Sequence, residues 1–110
     1  MNTGIELIAA ERARQITEEG WTADHDDTEH PAGQLAGAAA CYALWHSVYL
    51  HSGVLWRFIM ALWPWSHEWW KPTQPADPIR DLAKAGALIA AEIDRLQRRQ
   101  ADAPRIILPK

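Results

Sequence analysis

Cysteine is almost missing from this chain. Cys41 stands alone, which excludes an intramolecular disulfide and any all-thiolate metal cage. It lies within an apolar run and reads as a buried, inert thiol rather than a nucleophile. No glycine-rich phosphate loop is present, and Ser47, Ser52 and Ser66 lack the strand–turn–helix setting of a nucleophile elbow. Phosphate-loop chemistry and serine catalysis are therefore set aside. The amino terminus has no continuous apolar core, because Glu6, Glu11 and Arg12 interrupt it, so a secretory signal is not expected and the cytoplasm is the default compartment. Internal repeats are also absent.

Charge is missing over one long interval, from Glu29 to Arg57. That raises the question of a membrane span. The interval is rich in small residues and contains Gln34, His46, Ser47, His51 and Gly53, so a hydrocarbon-embedded helix is not expected. Elsewhere the charge is lopsided. Residues 1–34 hold eight acids against Arg12 and Arg14, whereas seven bases face four acids from Arg80 onward. An acidic front suits divalent cations. The basic "RLQRRQ" end is short and reads as a solvated helix terminus favoured by the macrodipole, so nucleic acid is not an expected partner.

What the chain does contain is enough apolar matter for one core. With 110 residues, 48% of them hydrophobic, a single folded domain is expected. "TGIELIAAERARQITEEGW" opens with a capping box of Thr3 and Glu6 and closes at Gly20, a left-handed cap clasped by Trp21. Ile5, Ile8, Ala9, Ala13 and Ile16 share one face of that helix, with Arg12 and Glu19 inside the stripe and Glu11 and Glu18 opposite. A second helix is expected from Pro31–Gly33 to about His51 or Gly53. It has no polar face, so its own chain or a partner subunit must enclose it. A chain this small offers little cover, which points to a homo-oligomer. Residues 54–72 hold five of the seven tryptophans, and Pro64 ends any helix begun near Val54. Asp77-Pro78 then caps the last helix, along which Ile79, Leu82, Gly86, Ile89, Ile93 and Leu96 alternate three- and four-residue steps. Gly86 weakens helix propensity by up to ~1 kcal/mol, so close packing is expected there. The expected architecture is all-α, with three main helices and a Trp-rich irregular or short-helical insertion before the last. Residues 1–100 form the domain, and 101–110 a tail in which "RIILP" adds a strand-like segment.

Three constellations carry chemistry. "TADHDDTEHPAG" places His25 and His30 around Asp26 and Asp27, nitrogen and carboxylate donors that suit zinc, manganese, iron or magnesium. The same stretch also reads as a plain polar connection between helices. Glu18 and Glu19 lie just upstream and can reach the same volume, and such a carboxylate cluster is costly without a cation unless solvated. Asp81 and Glu92 share a face of the last helix. They form either a solvated, salt-bridged face with Lys84 or the far side of a metal cage. Trp56, Trp63, Trp65, Trp69 and Trp70, with His67 and Lys71, exceed what a core needs, so at least one is expected to line a pocket or interface.

Taken together, "ERARQITEEGWTADHDD..H", "GQLAGAAACYA", "WPWSHEWWKP" and "RDLAKAGALIAAEIDRL" resemble a family of small phage- and prophage-encoded proteins. More loosely, acid-bearing helices around a Trp-rich site are similar to the all-α nucleotide pyrophosphohydrolases of the MazG and dUTPase kind. The resemblance implies a nucleotide-handling hydrolase in the host bacterial cytoplasm. Glu18, Glu19, Asp26 and Asp27 would hold Mg2+ or Mn2+, with His25 and His30 assisting catalysis. Trp63, Trp65, Trp69, Trp70, Lys71 and Lys84 would take the substrate. The chain departs from that superfamily: its paired-Glu motif on one helix, with Glu and Asp a turn apart on the next, is absent, and Gln34 stands where an acid is expected. A non-catalytic accessory protein that sequesters a nucleotide, or blocks a host defence protein, is the alternative.

Overall fold

The computed structural model describes residues 1–47 and 52–102. Among these residues five α-helices follow one another: α1 (Gly4–Glu18), α2 (Ala23–Glu29), α3 (Gln34–Trp45), α4 (Ser52–Leu62) and α5 (Pro78–Asp102), with a 3-10 turn at His67–Trp69. No strand occurs among the described residues, in agreement with the all-α expectation. The "RIILP" segment lies outside them.

Local rules set most boundaries. Thr3 Oγ1 accepts from the Glu6 amide at 3.2 Å while Glu6 accepts from the Thr3 amide at 2.9 Å, so the capping box forms. Gly20 adopts φ 73°, and the Trp21 amide closes the helix end onto the Gln15 carbonyl at 3.1 Å. Asp77 Oδ1 accepts from the Arg80 amide at 3.2 Å, and Pro78 occupies the first position of α5, where its missing N–H costs nothing.

Two expectations on element number and length change. The acidic stretch is not a connecting loop: Thr22 caps it by accepting from the His25 amide at 3.3 Å, and Asp24 and Asp26 sit in the first turn, where the helix dipole favours anions. The result is α2. The helix expected to run to His51 or Gly53 ends at Trp45, with the His46 amide bonding back to the Ala43 carbonyl. A separate α4 of eleven residues then precedes Pro64.

α5 is the spine. α3, α1 and α2 all pack on it, and α4 packs on α3. The core is Leu35, Ala38, Ala39, Cys41 and Tyr42 of α3, Leu55 and Ile59 of α4, Trp63, and Ala85, Leu88 and Ala91 of α5. The chain thus encloses α3 by itself, leaving only small Ala36, Ala40 and Ala43 exposed. The apolar circumference of α3 is therefore no evidence for a partner. Meanwhile α1 turns Glu11 and Gln15 inward and leaves Ile5 82% exposed, while Ile8 packs against Gly86. On α5, Ile79, Leu82, Ile89, Ile93 and Leu96 form an outward stripe, each 40–67% exposed. No helix among the described residues is long and apolar enough to cross a membrane.

Candidate functional site

Inward-facing polar residues of α1 meet the Trp-rich segment around an open pocket of about 660 Å3. Its aromatic wall is Tyr42 with Trp21, Trp63, Trp65 and Trp69, and its polar wall includes Arg14, Gln15, Lys71 and Lys84. The wall is held by ring-on-ring contact. Trp63 meets Trp65 edge-on at 5.3 Å and Trp70 at 5.1 Å, Trp65 meets Trp21 at 5.6 Å, and Tyr42 lies 4.8 Å from Trp70. Trp63 Nε1 donates to the Ser66 carbonyl at 3.0 Å, which fixes the bend after Pro64. Burial pushes the Tyr42 hydroxyl up to about 12, so it remains a neutral donor at neutral pH.

The pocket is electrostatically mixed. Arg14 donates to Glu11 at 2.7 Å and to Glu19 at 3.0 Å, with Glu18 at 3.5 Å. These bonds, led by Glu11, raise its affinity for its proton. Lys71 Nζ sits 5.4 Å from the Trp69 ring centre and Lys84 Nζ 5.6 Å from that of Tyr42. Neither ammonium pairs with a carboxylate among the described residues. Gln15 is buried, and its Oε1 has no hydrogen-bond partner. A buried orphan acceptor costs ~1–3 kcal/mol, so its place beside a cavity is informative.

Beside the pocket lies a His/Asp group. Asp26 is fully buried; its Oδ1 lies 3.1 Å from His30 Nδ1 and its Oδ2 accepts from Arg12 at 3.3 Å. His25 Nδ1 is 3.9 Å from Asp26 Oδ1 and is solvent-shielded without a partner. His30 also lines the pocket, and its burial pulls its basicity below the ordinary histidine value, partly offset by Asp26. His25, Asp26 and His30 each offer a ligand atom within 4.8 Å of the others, so the three could hold a metal ion.

The four carboxylates named from sequence do not converge. Glu18 and Glu19 are partners of Arg14, Asp27 pairs with Arg98 at 2.8 Å, and only Asp26 joins the two histidines. Among the six substrate candidates, Trp63, Trp65, Trp69, Lys71 and Lys84 line the pocket, whereas Trp70 stands behind it against Tyr42 and Trp63. Asp81 and Glu92 are neither solvated nor part of a cage. Asp81 accepts from the Thr73 amide at 3.0 Å and lies 2.8 Å from His46 Nε2, while Glu92 pairs with Arg95 inside the fold. Sequence reasoning missed Arg14, Gln15, Trp21 and Tyr42 as lining residues. The available signal was Gln15 one turn after Glu11 on α1, on the side opposite the Ile5 and Ile16 stripe. No family model, curated protein or solved structure matches the chain.

Proposed function

We propose that this protein binds a nucleotide in the Trp-walled pocket and acts by holding it. The observation that carries this reading is the union, in one cavity, of aromatic faces and the ammonium groups of Lys71 and Lys84, which have no carboxylate partners among the described residues. Tryptophan faces stack bases without regard to sequence, and two ammoniums beside them complement phosphate. Titrating the protein with nucleoside triphosphates while following Trp fluorescence tests this. Lys71→Ala with Lys84→Ala should bring triphosphate affinity down to that of the bare nucleoside. No quenching at millimolar nucleotide would end the reading.

A hydrolytic form of the same reading is favoured by one feature, the His30 ring shared between the pocket and the His/Asp group. In that form Mg2+ or Mn2+ arrives with the triphosphate and the protein is a pyrophosphohydrolase of phage origin. A metal-supplemented screen for pyrophosphate release decides between holding and cleaving. Blocking a host defence protein has no comparable support.

Assembly belongs to the same reading, as a homodimer through the outer stripe of α5. Ile79, Leu82, Ile89, Ile93 and Leu96 are exposed along one side of α5, while Gly86 among them is taken by Ile8 of α1. Exposed apolar stripes of this extent are uncommon on monomers, and a standard interface buries ~800 Å2 per partner. Light scattering should give about twice the 12.4 kDa chain mass. Ile89→Glu with Ile93→Glu should halve it, and a monomeric wild type at micromolar concentration overturns the dimer.

A further inference from the structure

We infer that His25, Asp26 and His30 form a resident site for a borderline first-row divalent cation of the zinc and cobalt class, separate from any ion carried by a nucleotide. The donor set decides the class. Two imidazole nitrogens and one carboxylate oxygen suit zinc, cobalt or iron, whereas magnesium and calcium prefer shells built from oxygen.

Geometry supports two of the three ligand pairs, and one donor atom from each residue lies within 4.8 Å of the others. Metal bonds of ~2.0–2.2 Å place neighbouring ligand atoms ~3–4 Å apart. Asp26 Oδ1 lies 3.1 Å from His30 Nδ1 and 3.9 Å from His25 Nδ1. Arg12 occupies the other carboxylate oxygen at 3.3 Å, so Asp26 is oriented from behind and Oδ1 is turned to the histidines. The rings are also fixed in place. His25 stacks on Trp21 with 10° between planes, and His30 is wedged between Trp21, edge-on at 5.2 Å, and Trp65 at 5.0 Å.

The independent sign of a ligand is His25 Nδ1. Its ring is partly exposed, yet this nitrogen is shielded from solvent and has no hydrogen-bond partner. A structural histidine in a polar helix normally turns such an atom to water or to a backbone group. Here it is aimed at the carboxylate from just beyond hydrogen-bonding distance, the separation that an intervening ion spans. Three protein ligands leave at least one coordination position for water or an anion, as in catalytic rather than structural zinc sites. The inference stands whether or not the neighbouring pocket takes a nucleotide.

The test titrates chelator-treated full-length protein with Co2+ alone, with no nucleotide present. One equivalent per chain should bring up a visible d–d band and quench Trp21, whose ring centre lies 6.4 Å from that of His25. Zn2+ should displace the band and Mg2+ at the same concentration should not. His25→Ala should weaken Co2+ binding at least tenfold while the metal-free protein stays folded, with a lower melting temperature because the stack on Trp21 is lost. Should His25→Ala fail to fold, His25→Phe keeps the stack on Trp21 and removes only the donor. No Co2+ or Zn2+ binding at millimolar concentration, equal binding of Mg2+, or wild-type affinity in a folded His25 variant would each overturn the site. Since nucleotide is absent throughout, a negative result leaves the pocket reading intact, and failure of nucleotide binding leaves this result standing.

Discussion

Replacing Gly86 with alanine sets two opposed effects against each other, and the structure says which wins. Alanine improves helix propensity by up to ~1 kcal/mol in the middle of α5. A Cβ at position 86, however, would lie 2.5 Å from Ile8 Cδ1, 2.6 Å from Cγ1 and 3.3 Å from Cγ2. The first atom ends a flexible side chain and can swing away. The second cannot move without shifting α1 or forcing a poor rotamer, an overpacking cost of ~1–3 kcal/mol. Gly86→Ala should therefore destabilise the fold by about 1 kcal/mol net, a fall of several degrees in melting temperature. The sign should reverse when Ile8 is shortened. In an Ile8→Ala background the clash is gone, and the same glycine substitution should stabilise by up to ~1 kcal/mol, giving a coupling energy of about 2 kcal/mol. Urea and thermal melts of the four proteins, at one fixed chain concentration, measure this cycle. A stabilised Gly86→Ala single variant, or additive effects, would refute close α1–α5 packing at this point.

Gly20→Val should cost ~1 kcal/mol or more, because φ 73° is strained for a β-branched residue whatever space surrounds it; an unchanged melt would place the end of α1 elsewhere. Burial pushes the Cys41 thiol up to about 11. In the unfolded chain it ionises at ~8.5, so the unfolded state binds fewer protons between these values and stability falls as pH rises. Its contribution is complete below that window and lost through it, and Cys41→Ala should flatten the alkaline decline in melting temperature. A disulfide reagent at pH 8 should label Cys41 only as fast as the protein unfolds. Asp81→Ala removes the acceptor for Thr73 and the partner of His46 in a fully buried position, and should cost about 3 kcal/mol in urea melts. A loss below ~1 kcal/mol would mean that water replaces the carboxylate.

The parts of the fold legible in the sequence were those that local rules decide. Thr3, Gly20, Asp77 and Pro78 each act within four residues of where they sit, and each does what its chemistry dictates. Gly86 was legible because a glycine inside an apolar seam gives up helix propensity and side-chain contact, a loss that close approach of another helix offsets. α2 was not, since a seven-residue helix of Ala, Asp, His, Thr and Glu has no apolar period to reveal it. Nor were the fates of the acids. Asp27 meets Arg98 across 71 positions and Arg12 reaches Asp26 across 14, so composition showed a cluster where the fold distributes partners. The pocket was half legible: the density of tryptophan marked one wall, but the facing wall on α1 was hidden by being polar.

That polarity inverts the usual arrangement, and the inversion itself needs a cause. On α1 the buried positions are Glu11 and Gln15 while Ile5 and Ile16 face out; on α5 Asp81, Glu92 and Arg95 are buried while five Ile and Leu side chains face out. Stability alone does not favour this pattern. Apolar residues in place of a buried ion pair are often neutral or stabilising, and outward Ile and Leu forgo burial at ~25 cal/mol per Å2. Selection for a stable monomer would therefore erase both features. The two halves of the pattern have separate causes. Inward polar groups on α1 line one wall of the aromatic pocket proposed above to hold a nucleotide, and the outward stripe on α5 is the surface proposed above for a second copy. Sites where local patterning conflicts with the fold are where function is expected to reside. Here the conflict runs along the two helices that carry the pocket wall and the exposed apolar stripe, which pack closely where Ile8 meets Gly86.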